Sequence, residues 1–175
     1  MLISEFVTKY QGSKQKNSLI EKQIKTKYIS FETKIALSSK IINMSMYKEI
    51  MGKKVFVPDT PNRYQLFVQA VIQSYTTLEW DAIEGNEKMS DISKDFNLLE
   101  ENGLVEVLFA AIGDDIQKFT TVLNMKVDDE IDLNRSIVPF LETKLESINM
   151  VFDSISQVMD KPEIKEKITT LISNI

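Results

Sequence analysis

The chain has 175 residues, a formal net charge of −5, and neither histidine nor cysteine. Without cysteine there is no thiol nucleophile, disulfide framework, zinc knuckle or iron–sulfur ligand; without histidine there is no Ser-His-Asp triad and no imidazole titrating near neutrality. An acidic balance repels phosphate and disfavours sequence-independent nucleic-acid binding.

At 43% hydrophobic and 27% charged residues, composition is close to ordinary globular usage, so a packed core is expected. Five glycines and four prolines are few for a chain of many short strands and tight turns, which points to helices. Lysine is concentrated over residues 9–54 and acids over residues 81–146. The plain reading is two solvated faces of opposite sign; the sharper one is head-to-tail stacking of complementary patches. No apolar run reaches the roughly 18 residues of a membrane span. The start, Met1-Leu2-Ile3-Ser4-Glu5, lacks the basic and apolar regions of a signal peptide, so a cytosolic protein is expected.

Leu2, Ile3, Phe6, Val7 and Tyr10 recur at helical spacing, and Gly12 stands where a C-cap glycine belongs. A second short helix is predicted over residues 17–27, marked by Leu19, Ile20 and Ile24. Ser30 is a suitable N-cap for a third helix carrying Ile35, Ala36, Ile41 and Ile42. Residues 47–50 and 54–57 then read as strands around a turn at Met51-Gly52-Lys53. Such a ribbon is marginal alone and must pack on helices or another chain.

Thr60 as N-cap and Pro61 at the first helical position start a central core helix with Tyr64, Phe67, Val68, Val71, Ile72, Tyr75 and Leu78, running to about Trp80. Residues 81–89 read as a loop. Ser90 caps a helix with Ile92, Phe96, Leu98 and Leu99, which Asn102-Gly103 stops. Residues 104–112 form a nearly all-apolar helix, expected to be buried. Gly113-Asp114-Asp115 starts the next one, bearing Ile116, Phe119, Val122 and Leu123. An acidic link at 128–132 precedes a long amphipathic helix in which Ile137, Leu141, Leu145, Ile148, Phe152, Ile155 and Met159 recur every three or four residues. Pro162 breaks it before a terminal helix with Ile164, Ile168, Leu171, Ile172 and Ile175.

The densest acids are Asp114, Asp115, Asp128, Asp129, Glu130 and Asp132. They lack the alternating spacing and central glycine of a calcium loop, and Asp114 and Asp115 are better read as complementing a helix dipole. Gly52-Lys53 has no upstream glycine and no following Ser or Thr, so it is not a phosphate loop. Arg63, in the first turn of a helix, reads chiefly as a structural pin, with its fork on a carboxylate or carbonyls. Trp80, beside Glu79 and Asp81, is expected to be half-exposed and is the first candidate interface anchor. The C-terminal stripe is either an oligomer seam or the other side of the monomer's core.

Three segments carry a resemblance: Tyr28-Ile29-Ser30-Phe31-Glu32-Thr33-Lys34, Pro61-Asn62-Arg63-Tyr64-Gln65-Leu66-Phe67 and Phe96-Asn97-Leu98-Leu99-Glu100-Glu101-Asn102-Gly103-Leu104. Together they resemble small helical proteins encoded by tailed phages and prophages of low-GC Gram-positive bacteria. The resemblance implies a viral context, with a role in particle assembly or host interaction, and carries over no site residues.

The expectation is therefore a mainly α protein, a compact helical bundle with one small β-hairpin near residues 46–57. Residues 1–160 are expected to form one helical domain with the hairpin inserted, and residues 161–175 a C-terminal helical extension. No catalytic residue, cofactor or metal is expected. Interface candidates are Trp80, Arg63, Phe152, Ile155, Met159, Ile168 and Leu171. The leading function is a non-enzymatic phage protein acting through protein–protein contacts in virion structure or assembly, as a connector, tail component or assembly chaperone. The alternative is a small phage inhibitor of a host enzyme or anti-phage defence complex; a carboxylate-based metal enzyme ranks third. Partners are viral structural proteins or copies of the chain itself, without nucleic acid or membrane, in the host cytoplasm or the virion.

Overall fold

The computed structural model describes residues 1–83, 86–90 and 92–159. The chain is mainly α and divides into two units, Met1–Asp129 and Glu130–Ile175. The proposed extension at 161–175, with Ile168 and Leu171, lies outside the described residues.

The first unit opens with α1 (Ile3–Gly12) and the short α2 (Lys16–Glu21). Gly12 is the last residue of α1 rather than a left-handed stop; Ser13 follows in extended conformation. In α3 (Phe31–Ser45), Ser30 is the N-cap as expected, its hydroxyl accepting from the Thr33 N–H at 3.2 Å. A hairpin of β1 (Tyr47–Ile50) and β2 (Lys53–Phe56) follows directly, pairing Ile50 with Lys53 across a two-residue turn. Met51 and Gly52 both have positive φ, 52° and 74°, the backbone of a tight hairpin turn whose twist suits the flanking strands. Lys53 is therefore the start of the second strand, not part of the turn. Met51 at the tip is 99% exposed, while Met46 at the base is fully buried. The Val57 N–H to Met46 and Asp59 N–H to Ser45 carbonyl bonds, at 2.9 and 2.7 Å, fasten the ribbon to α3.

In α4 (Thr60–Tyr75) the cap falls one residue earlier than Thr60: the Asp59 carboxylate accepts from the Asn62 N–H at 3.1 Å, and Pro61 stays within the first turn. The helix ends at Tyr75, not Trp80. Beyond it the chain runs extended and makes backbone bonds to two earlier segments: Thr77 N–H to Gln23 at 2.8 Å, and Ile3 N–H to Glu79 at 3.0 Å. These bonds give the backbone after Tyr75 the partners a longer helix would otherwise have supplied.

A second two-stranded pairing, β3 (Ala82–Ile83) with β4 (Asn86–Ser90), stands where a loop was expected. Local turn chemistry at Gly85-Asn86 is compatible with either, and no apolar alternation flags the strands. Then come α5 (Ile92–Glu101), α6 (Leu104–Ile112) and α7 (Asp115–Met159). Gly103 at φ 62° and Gly113 at φ 90° make the two sharp breaks around α6.

The core of this unit gathers Ile3, Phe6 and Val7 of α1, Val68 and Ile72 of α4, Leu99 of α5, and Leu104, Val105 and Leu108 of α6. On α6 only one side is sealed; Glu106 and Ala110 are exposed, so that helix is amphipathic rather than wholly buried. Phe67 sits between Phe109 of α6 and Phe119 of α7, with ring centroids 5.9 and 5.0 Å away.

No acidic link interrupts α7. Val127 and Ile131 keep apolar positions one turn apart through the acidic stretch, and Asp, Glu and Asn each cost a helix interior only a few tenths of a kcal/mol beyond better formers. Asn134 and Ser136 bond back to the carbonyls of Glu130 and Asp132, both at 2.8 Å, so their side chains do not draw the backbone out of the helix. α7 runs for 45 residues, Asp115–Met159.

Candidate interaction surface

Sequence reasoning placed Asp115 at a helix start, complementing the dipole. Its carboxylate does more. One oxygen accepts from the Lys34 ammonium at 2.9 Å; the other accepts from the Tyr75 hydroxyl at 2.8 Å and the Ile29 N–H at 3.1 Å. The left-handed Gly113 turns the chain so that α7 begins here, its N-terminus favouring the negative charge. Ser30 caps α3 and sets Lys34 one turn in, where the ammonium also bonds the Ile29 carbonyl and lies 4.7 Å over the Tyr28 ring. Lys34, Tyr75 and Asp115 are all buried.

Burial pushes the Asp115 carboxyl up, but the hydrogen bonds from Lys34, Ile29 and Tyr75 and the Lys34 charge outweigh it, and the group lies below the usual carboxylate range. Burial first, then the bond to Asp115, pushes the Tyr75 hydroxyl well above its ordinary value. A carboxylate with three donors, sealed from water, is an ionised clamp joining α3, α4 and α7. Here the basic and acidic stretches of the sequence meet as a buried ion pair.

Trp80 is 9% exposed and packs in the core cluster, so the half-exposed position expected from its acidic neighbours is overturned. The extended segment after α4 carries it inward beside α1. Its Nε1 has no hydrogen-bond partner among the described residues. Arg63 is half-buried; its guanidinium reaches the Thr60 hydroxyl at 3.5 Å, a turn-closing contact rather than a fork on a carboxylate. The depression between α3 and α4, lined by Leu37, Met44, Leu66 and Gln69 among others, holds about 70 Å³; two open depressions, one along Tyr47, Lys48 and Lys54 of the hairpin and one along Glu21, Lys25 and Thr26, hold about 350 and 400 Å³.

Among the described residues, a run of exposed apolar side chains lies in the second unit. On α7 the side chains of Ile137, Leu141, Leu145, Ile148, Val151 and Phe152 are 44–65% exposed. Phe152 is thus where an interface candidate was expected, on the surface. Ile155 and Met159 fall on the same helical register, while their side chains lie outside the described set. Leu141, Leu145 and Ile148 were visible in the periodic stripe yet not singled out. The Lys34–Asp115 pair carried no sequence signal beyond its place near two helix starts.

Among the described residues, no group of three or more His, Cys, Asp or Glu could hold a metal ion. Nor is any described helix long and apolar enough to cross a membrane. The chain matches no protein-family model, and no curated protein or solved structure is significantly similar to it.

Proposed function

We propose that this chain acts without catalysis, through protein–protein contacts in the structure or assembly of a phage particle, as a connector, tail component or assembly chaperone. The observation that carries the reading is the exposed apolar face of α7. Soluble monomers rarely leave contiguous apolar surface of more than a few hundred Å² uncovered, and larger patches mark interaction sites. The phage setting rests on the three resembling segments around Tyr28, Pro61 and Phe96. The partners are viral structural proteins or copies of the chain, met in the host cytoplasm or in the virion. The buried acid, ammonium and phenol of the clamp are consumed in holding three helices together, which leaves them no exposed chemistry to offer.

Deleting the gene from its phage or prophage and imaging induced lysates by electron microscopy tests the reading. The expected result is a loss of complete particles, with heads or tails accumulating unjoined. Complete, infectious particles at the normal yield would overturn it.

A further inference from the structure

Asn102-Gly103 is the single Asn-Gly pair in the chain. It stands at the break between α5 and α6, and helix-ending chemistry fixes both of its residues there. Gly103 has φ 62°, a conformation in which any side chain is strained, and its N–H donates to the Glu100 carbonyl at 2.9 Å. The Asn102 side chain satisfies a further open carbonyl of the last turn, its Nδ2 donating to Leu98 at 2.8 Å. Its Oδ1 accepts from Nε2 of Gln11, on α1, at 2.7 Å. The one amide therefore caps α5 and ties it to α1.

The same two residues are a reactive pair. Glycine has no side chain to shield its backbone nitrogen, and that nitrogen is placed to close a five-membered ring on the Cγ of a preceding asparagine. In the folded chain two sets of bonds oppose this attack. The Gly103 N–H is engaged by Glu100, and the Asn102 amide is drawn back along α5 to Leu98 while Gln11 holds its oxygen. The Gln11 contact is exposed, the kind of bond that opens locally without global unfolding.

We propose that Asn102 is a self-modification site, converted to aspartate and isoaspartate by the Gly103 nitrogen, with Gln11 of α1 restraining the reaction. The nitrogen gives up its proton and bonds to Cγ; the Cγ–Nδ2 bond breaks, and ammonia leaves carrying that proton. Water then opens the cyclic imide. Attack at Cγ gives aspartate, and attack at the backbone carbonyl gives isoaspartate, whose main chain runs through the former side chain. Either product replaces the donor facing the Leu98 carbonyl with a carboxylate. It also adds negative charge beside Glu100 and Glu101, at the end of α5 where the helix dipole disfavours it. Leu99 and Leu104, on either side of the break, are fully buried, so the change loosens the junction that seats α5 and α6 in the core.

Incubation of the full chain at neutral pH, with mass mapping of the tryptic peptide 95–118 and its neighbours over time, tests the proposal. Expected is conversion at Asn102 ahead of every other asparagine, seen as the mass change of NH2 to OH in two chromatographic forms. Conversion led by another asparagine overturns it. Aspartate without isoaspartate also overturns it, because direct attack of water on the side chain bypasses the Gly103 nitrogen. Gln11→Ala should raise the rate about fivefold, the population change that follows from losing one net hydrogen bond. An unchanged or lower rate overturns the restraint by α1. The unfolded chain in urea should convert faster than the native chain, and equal rates would overturn the same point. Asn102→Asp, which installs one product directly, should lower the urea midpoint of the first unit; an equal or higher midpoint overturns the loosening.

Discussion

The two parts of α7 carry the same kind of apolar stripe and meet opposite surroundings. Up to Asp129, Ile116, Phe119, Leu123 and Val127 are buried, and the helix is locked at its first residue by Lys34 and Tyr75. From Ile137 to Phe152, residues of equal size and equal spacing are 44–65% exposed. Helical periodicity thus reports that one face is apolar; what covers that face depends on groups brought from elsewhere in the chain. Phe67 and Lys34, some 50 and 80 residues upstream, cover the first part. A stripe read without those partners looks the same in both places.

The sharpest way to break the contrast is to remove the lock. Asp115→Ala leaves the Lys34 ammonium buried without its counter-ion, and stripping one partner from a buried pair costs about 4 kcal/mol. Urea unfolding followed by fluorescence of Trp80, the single tryptophan, reads the loss in the first unit. A loss below about 1 kcal/mol would mean that the ammonium escapes to water and the clamp is dispensable. Next in size is Phe119→Ala. It empties the space against the Phe67 ring and is expected to cost about 3 kcal/mol by the same measurement.

Acid and alkali probe the clamp without mutation. The Asp115 pKa is lowered by folding, so its contribution is present above the unfolded value near ~3.9 and lost as pH falls through the lower folded value. The Tyr75 pKa is raised, so its contribution is present below ~10 and declines as pH rises above that point, where the unfolded phenol ionises first. Urea midpoints across pH should therefore be level between these limits and fall on both sides, and the wild-type–Asp115→Ala difference should narrow at the acid end. The smallest effect is expected in the second unit. Met150→Ser, at a 68% exposed position, should shift the unfolding free energy by no more than about 0.5 kcal/mol.

Helix existence was readable from the chain because capping and periodicity act locally. Ser30, Gly103 and Gly113 mark real boundaries, and Met51-Gly52 marks a real turn. Errors arose where distant backbone competes with local preference. The α4 stripe through Leu78 suggested a longer helix, but residues 77–79 find partners at Gln23, Met1 and Ile3, and the extended path carries Trp80 into the core. The acidic residues at 128–132 suggest a link, but charge at exposed helix positions does not end a helix, and the Val127–Ile131 spacing continues it. Within the candidate surface, the spacing of Phe152 places it on the helix's apolar stripe, where it is exposed. The clamp escaped notice because Lys34, Tyr75 and Asp115 are separated by dozens of residues and form no motif until the fold assembles them.

The hairpin and α7 together make this protein a graded target for peroxide. A thioether oxidises where solvent reaches it, and the sulfoxide is polar and chiral. Met51 at the turn tip, Met44, Met125 and Met150 are all more than half exposed, whereas Met46, at the root of the same hairpin, is fully sealed. Brief oxidation followed by peptide mass mapping would thus stamp the outer methionines first. A sulfoxide at Met46 would record the moments when the first unit opens.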